Sequence, residues 1–164
     1  MRRALVVILF VSAPLYGVPT DARLRVPKGL TFLRYCASVF GEAPYAVPLE
    51  DPRLAPLLAY YRHVDAADLE SILPLFSTDS VYDRNLAQHV GIDSIREFFV
   101  ERLDRLSGKH KLRSASIKGN QFFFFGTFKG KNHGTPVRAD FLDYWVLDRD
   151  GKVYYRQSWI SEGI

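Results

Sequence analysis

From residue 52 onward, apolar positions first recur with helical spacing and then alternate. Leu57, Tyr60, Tyr61 and Val64 form one stripe, and Leu69, Ile72, Leu73 and Phe76 form a second. The spacing predicts a helix that opens at Pro52 behind Asp51, a suitable cap. It predicts another from Asp68, cut short by Pro74. Residues 80–84 read as a short strand, and a loop through His89 leads to Gly91. Asp93 caps a third predicted helix with Ile95, Phe98, Phe99, Arg102 and Leu103 on one side, ending near Gly108. Beyond Gly108 the period falls to two. Residues 111–117, 121–129, 135–147 and 152–160 read as strands. Gly119-Asn120, a polar loop over 130–134 and the hairpin signal Asp148-Arg149-Asp150-Gly151 separate them. Helices followed by strands predict an α+β fold, with three helices on one concave face of a bent antiparallel sheet and an apolar pocket between the layers.

The chain ahead of this domain has a different texture. Met1-Arg2-Arg3 is basic, Ala4 to Val11 is continuously apolar, and Gly17 to Ala22 is small and polar. That order reads as a secretory signal, cleaved after Gly17 or Ala22. The other readings are a retained apolar extension and a start assigned upstream of the true one. A signal over residues 1–22 implies a secreted or periplasmic protein; without it the chain stays in the cytoplasm. No apolar run reaches 18 residues, so no stable membrane span is expected. Residues 23–50 read as a linker, interrupted by Pro27, Gly29, Gly41, Pro44 and Pro48, with a turn of helix over 30–35. The domain proper is expected over 51–164.

Composition narrows the chemistry. Hydrophobic residues make up 48% of the 164, and charged residues 24%, which is globular composition. A single cysteine, Cys36, rules out an internal disulfide and a cysteine zinc site. The net charge of +4 suggests an anionic partner. However, residues 1–50 hold six basic and three acidic side chains, and residues 51–164 hold sixteen and fifteen. The folded part is nearly neutral, so no nucleic-acid partner is expected. His63, His89, His110 and His133 show no metal-ligand spacing and read as surface or rim residues. No phosphate loop or dinucleotide fingerprint occurs. The expectation is a site with no metal and no cofactor.

One carboxylate breaks the pattern. Along residues 135–147 the odd positions are Val137, Ala139, Phe141, Asp143, Trp145 and Leu147, so that one face is apolar except for Asp143. A carboxyl on a core-facing row is costly unless it is paired or protonated. Asp143 is therefore either a structural hydrogen-bond hub or a site residue. Tyr60, on the first helical stripe, carries a hydroxyl that needs a partner once buried. Asp83 and Arg84 face opposite ways on their strand, so only one of them looks into the pocket.

Several segments resemble SnoaL-like domains. They are Tyr60-Tyr61-Arg62-His63-Val64-Asp65, Val81-Tyr82-Asp83-Arg84, Gly91-Ile92-Asp93-Ser94-Ile95-Arg96-Glu97-Phe98-Phe99, and Leu142-Asp143-Tyr144-Trp145 followed by Asp150-Gly151-Lys152-Val153. These domains belong to the nuclear transport factor 2-like superfamily, with ketosteroid isomerase, polyketide cyclases and limonene epoxide hydrolase. The resemblance covers about residues 52–162. It implies a cone-shaped α+β roll that commonly forms a homodimer through its sheet.

The resemblance also implies site roles. Tyr60 falls on the oxyanion-hole tyrosine of ketosteroid isomerase, and Asp143 on its protonated aspartic acid. The general-base position carries Arg84, with Asp83 one residue earlier. A cation such as Arg84 near Asp143 turns the acid into an ion pair, and Arg84 can instead hold an anionic ligand. The epoxide hydrolase pattern is absent: Ser158 stands at its final aspartate, and Arg138-Ala139-Asp140 lies on the wrong strand. One reading is therefore an isomerase, cyclase or dehydratase for a small hydrophobic molecule, with Tyr60, Asp143 and Asp83 catalytic and Arg84, Tyr82, Phe99, Phe141 and Trp145 binding the ligand. The other is a non-catalytic ligand-binding or association domain, with Tyr154, Tyr155 and Trp159 as its contact surface.

Overall fold

The computed structural model describes residues 44–84 and 87–161. The signal read over 1–22, the turn of helix at 30–35 and Cys36 lie outside the described residues. Seven strands form one sheet: β1 (Tyr45–Val47), β2 (Phe76–Arg84), β3 (Ala87–Val90), β4 (Leu106–Lys118), β5 (Gln121–Asn132), β6 (Thr135–Leu147) and β7 (Val153–Ile160). Their spatial order is β1-β4-β5-β6-β7-β2-β3. The helices are α1 (Ala55–Asp65), α2 (Leu69–Ile72) and α3 (Gly91–Arg105).

Two of the three expected caps are in place, whereas α3 starts at Gly91 behind Val90 and carries Asp93 inside its first turn. Asp51 accepts from the Arg53 amide ahead of a 3-10 turn that leads into α1, and Asp68 accepts from the Ser71 amide at the start of α2. A 3-10 turn at Leu73–Leu75, containing Pro74, closes that segment. Leu57, Tyr60, Tyr61 and Val64 of α1 and Ile95 and Phe99 of α3 are buried against Phe122, Phe124, Phe141 and Trp145 of the sheet. Burying such side chains contributes roughly 1.5–3 kcal/mol each. The odd row of β6 faces this core, as alternation predicts. The even row contributes Leu142 and Tyr144 to a second cluster with Phe123 and Trp159 on the opposite face.

The structure corrects several boundaries. The sheet is mixed, because β2 runs parallel to β7. Tyr45–Val47, placed in the linker, pairs with β4, so the fold begins upstream of residue 51. The expected loop through His89 is strand β3, which pairs with β2 at Tyr82↔His89 and Val81↔Val90. An edge strand of four mostly exposed residues carries no alternation to read. Gly108 and Gly130, read as a helix end and a loop start, instead face each other across β4 and β5. A Cβ on either would lie 2.6–2.7 Å from the tip of the Phe128 ring, so that ring occupies the space a side chain would need. The polar loop accordingly shrinks to a turn at His133-Gly134. Among the described residues no helix is long and apolar enough to cross a membrane.

Candidate functional site

Strand register brings Asp143 into the middle of a buried polar cluster. Asp143 of β6 is opposite Ser158 of β7, and Trp145 is opposite Arg156. The parallel β2 places Tyr82 beside Arg156 and Arg84 beside Ser158. Arg156 Nη2 donates to both Asp143 oxygens at 3.1 Å. Tyr61 Oη donates to Asp143 Oδ2 at 2.7 Å, and Ser158 Oγ donates to Oδ1. Arg156 Nη1 donates to Tyr60 Oη. The guanidinium of Arg156 is caged by the rings of Tyr60, Tyr82 and Trp145, whose centroids lie 4.5, 4.4 and 4.3 Å away. Asp143 and Arg156 are 2% and 4% exposed, so this is a fully desolvated ion pair.

The arrangement corrects the expected oxyanion hole. Every hydrogen bond at Asp143 is donated to it, which is the role of a carboxylate acceptor and not of a protonated donor. Tyr60 and Asp143 do come together, but through Arg156. The hydroxyl that touches Asp143 belongs to Tyr61. Burial pushes the Tyr60 phenol up to about 12, with Arg156 pulling the other way. Burial and then Asp143 raise the Tyr61 phenol well above its ordinary value. Burial also pushes Tyr82 up, but Arg156 and Arg84 outweigh it and the net shift is downward. At Arg156 burial acts to lower the pKa, and Asp143 leads the contacts that more than offset it.

Next to the cluster lies a small cavity of about 20 Å³. Its polar wall is Arg84 at the end of β2, Arg102 on α3, His110 on β4, Asp143 and Arg156. Leu106, Phe128, Ala139, Phe141 and Ile160 complete the lining. The expected apolar pocket therefore has three guanidiniums and one carboxylate in its wall. Arg102 is only 4% exposed, and burial lowers its pKa. Arg84 rests on the Phe98 ring, 5.5 Å from its centroid, and donates weakly to Tyr82 Oη at 3.4 Å. Among the described residues neither Arg84 nor Arg102 has a carboxylate within 4 Å.

His110 completes the wall. Its ring Nδ1 is 2.5 Å from Asp65 Oδ1, and its amide donates to the same carboxylate at 2.9 Å. It stands among the rings of Phe128, Phe141 and Tyr61, with centroids at 4.9, 5.3 and 5.4 Å.

The remaining expected site residues go elsewhere. Asp83 points to the opposite side of β2, where it accepts from Tyr155 Oη at 2.5 Å and Gln88 Nε2 at 2.8 Å. It has no part in the cavity. Arg84 and Phe141 line the cavity, whereas Tyr82, Phe99 and Trp145 are fully buried core rings behind it. Of the surface aromatics, Tyr154 is half exposed and Trp159 is buried. Tyr61, Arg102, His110 and Arg156 are the residues that sequence reasoning missed as site members. Arg102 did leave a signal, as the one charge on the apolar side of α3.

Comparison with known proteins agrees with this architecture. The sequence pattern of the family described as SnoaL-like domain matches residues 57–156. No curated protein matches the chain. Among solved structures, a protein described as a SnoaL-like polyketide cyclase from Shewanella denitrificans superposes with a TM-score of 0.62 at 11% identity, covering 68% of this chain and 92% of its own. An epoxide hydrolase of the limonene epoxide hydrolase type from Mycobacterium tuberculosis gives 0.61 at 13% identity, covering 70% and 86%. A protein with a ketosteroid isomerase-like fold from Catenulispora acidiphila, in complex with trimethylamine, gives 0.60 at 15%, covering 65% and 85%. At these identities the likeness is one of fold.

Proposed function

The chain belongs to the SnoaL-like family, and from that premise we propose that it is a pocket protein for a small organic anion, whose carboxylate seats between Arg84 and Arg102. One observation carries the reading. Three guanidiniums face a single small cavity, and only Arg156 has a carboxylate partner among the described residues. Unpaired buried cations are expensive, and an incoming anion supplies the missing charge. The apolar part of the lining suits a short carbon chain, so the ligand is amphipathic and not simply hydrophobic. Tyr60 and Asp143 support the floor of the pocket, through Arg156, and do not act as oxyanion donors. This family hosts several chemistries on one fold, so the reading rests on the site and not on the fold.

The test is thermal unfolding of the full chain with pyruvate, and with acetone as the neutral counterpart. Pyruvate at a hundred times its dissociation constant should stabilise the protein by about 2.7 kcal/mol. Acetone should not, and Arg102→Met should abolish the pyruvate effect. Equal shifts with acetone and pyruvate, or no shift with pyruvate, would overturn the reading.

A further inference from the structure

His110 and Asp65 play no part in holding an anion, yet they are built into the same wall. Asp65 is the last residue of α1. Its carboxylate takes both the main-chain amide and the ring Nδ1 of His110. That double contact fixes the ring and assigns the Nδ1–H tautomer, which leaves Nε2 with its lone pair. No described group hydrogen-bonds Nε2. His110 lines the cavity together with Arg84 and Arg102. A positioned proton acceptor therefore shares a small enclosed space with two guanidiniums that have no carboxylate partner.

We propose that His110, held by Asp65, is the proton acceptor and donor of this cavity, acting on short 2-oxo acids. The inference rests on the anion-pocket reading above and names its substrate class. Arg84 and Arg102 hold the substrate carboxylate, and the enolate oxygen that develops on the adjacent carbon lies in the field of the same two guanidiniums. The small volume of the cavity favours the smallest members. In the step, a C–H bond beside the ketone breaks and its proton goes to Nε2. The electron pair forms the carbon–carbon double bond of the enolate, and the carbonyl oxygen takes the charge beside an arginine. The imidazolium then returns a proton to carbon. No electrons leave the substrate, and no co-reactant is needed. Preorganised cations at the developing charge are what such a step requires.

The surroundings of His110 agree with a base. Burial among Tyr61, Phe128 and Phe141 lowers its pKa. Asp65 on α1 opposes that shift, Arg102 on α3 adds to it, and Asp143 on β6 opposes it. The net direction is down, which favours the neutral ring that a proton acceptor needs.

The experiment follows the pyruvate methyl signal of the full chain in D₂O by proton NMR, with binding measured on the same samples. The wild type should exchange the methyl protons for deuterium, with a rate that falls in acid as one group is protonated. His110→Gln should still bind pyruvate and exchange at least 100-fold more slowly. Asp65→Asn, which removes the tautomer lock, should bind normally, exchange roughly tenfold more slowly and shift the acid limb. Asp65→Asn also carries the test should His110→Gln fail to fold. Pyruvate binding without exchange overturns the proposal, as does exchange that survives both substitutions. An absence of pyruvate binding to the wild type overturns the anion-pocket reading, and this inference with it.

Discussion

Asp143 shows how far one residue can be read. Its place on an otherwise apolar row marked it as a buried acid, and it is 2% exposed. Its partners were not visible in the same way. Arg156 and Ser158 sit on a strand whose two rows both mix polar and apolar residues, so alternation gave no sign that β7 turns an arginine inward. Because the pair is desolvated, Asp143→Asn should cost about 3–5 kcal/mol by stranding the Arg156 charge. Denaturant unfolding reads this loss. The double variant Asp143→Asn with Arg156→Met should lose less than the sum of the two single changes. Arg102 is the opposite case. It is buried and has no carboxylate within 4 Å among the described residues, so Arg102→Met should raise stability by about 1–2 kcal/mol while removing anion binding. His110 sets a pH dependence. Its folded pKa lies below the ordinary 6.5, so the unfolded chain binds the extra proton first as pH falls. The stability His110 contributes as a neutral ring is complete above about 6.5 and drains away below it. His110→Gln should flatten that acid limb in urea midpoints taken from pH 7 to 5.

At the scale of elements, helix α1 and the β6 boundaries were legible because period and punctuation agree there, whereas α3 was legible from its period alone, its start and stop lying at Gly91 and Arg105 and not at Asp93 and Gly108. Thr135–Leu147 has a two-residue turn on one side and Asp150-Gly151 on the other. Legibility failed where glycine serves packing instead of turning the chain. Gly126, inside a strand that the pattern did show, also serves packing: a Cβ there would lie 2.5 Å from the tip of the Phe141 ring and 2.8 Å from the Lys111 carbonyl. Gly126→Ala must therefore displace the Phe141 ring, which lines the cavity. The expected loss is about 1–3 kcal/mol of stability together with weaker pyruvate binding. Urea unfolding and thermal shifts on the same variant check both. Strand β3 escaped detection because its four residues have no core-facing apolar row.

At the scale of the whole molecule, the site exists because of one topological feature that no local pattern encodes. Strand β7 turns back antiparallel to β6 and on its other edge pairs in parallel with β2 from the first half of the domain. This carries Tyr82 and Arg84 to Arg156 and Ser158, more than 70 residues away along the chain. Helix α3 then lays Arg102 over the same spot, and α1 supplies Asp65 to His110. Six elements, α1, α3, β2, β4, β6 and β7, thus converge on a polar hollow inside an aromatic core, and of its charges only Asp143 and Arg102 stand out on their own segments. The central claim is that this hollow selects an organic anion through Arg102. Calorimetric titration of pyruvate into the wild type and into Arg102→Met tests it most directly. Saturable one-to-one binding to the wild type is expected, with at least tenfold weaker binding to the variant, about 1.4 kcal/mol or more. Equal affinity for the two proteins, or no binding to the wild type, would contradict it.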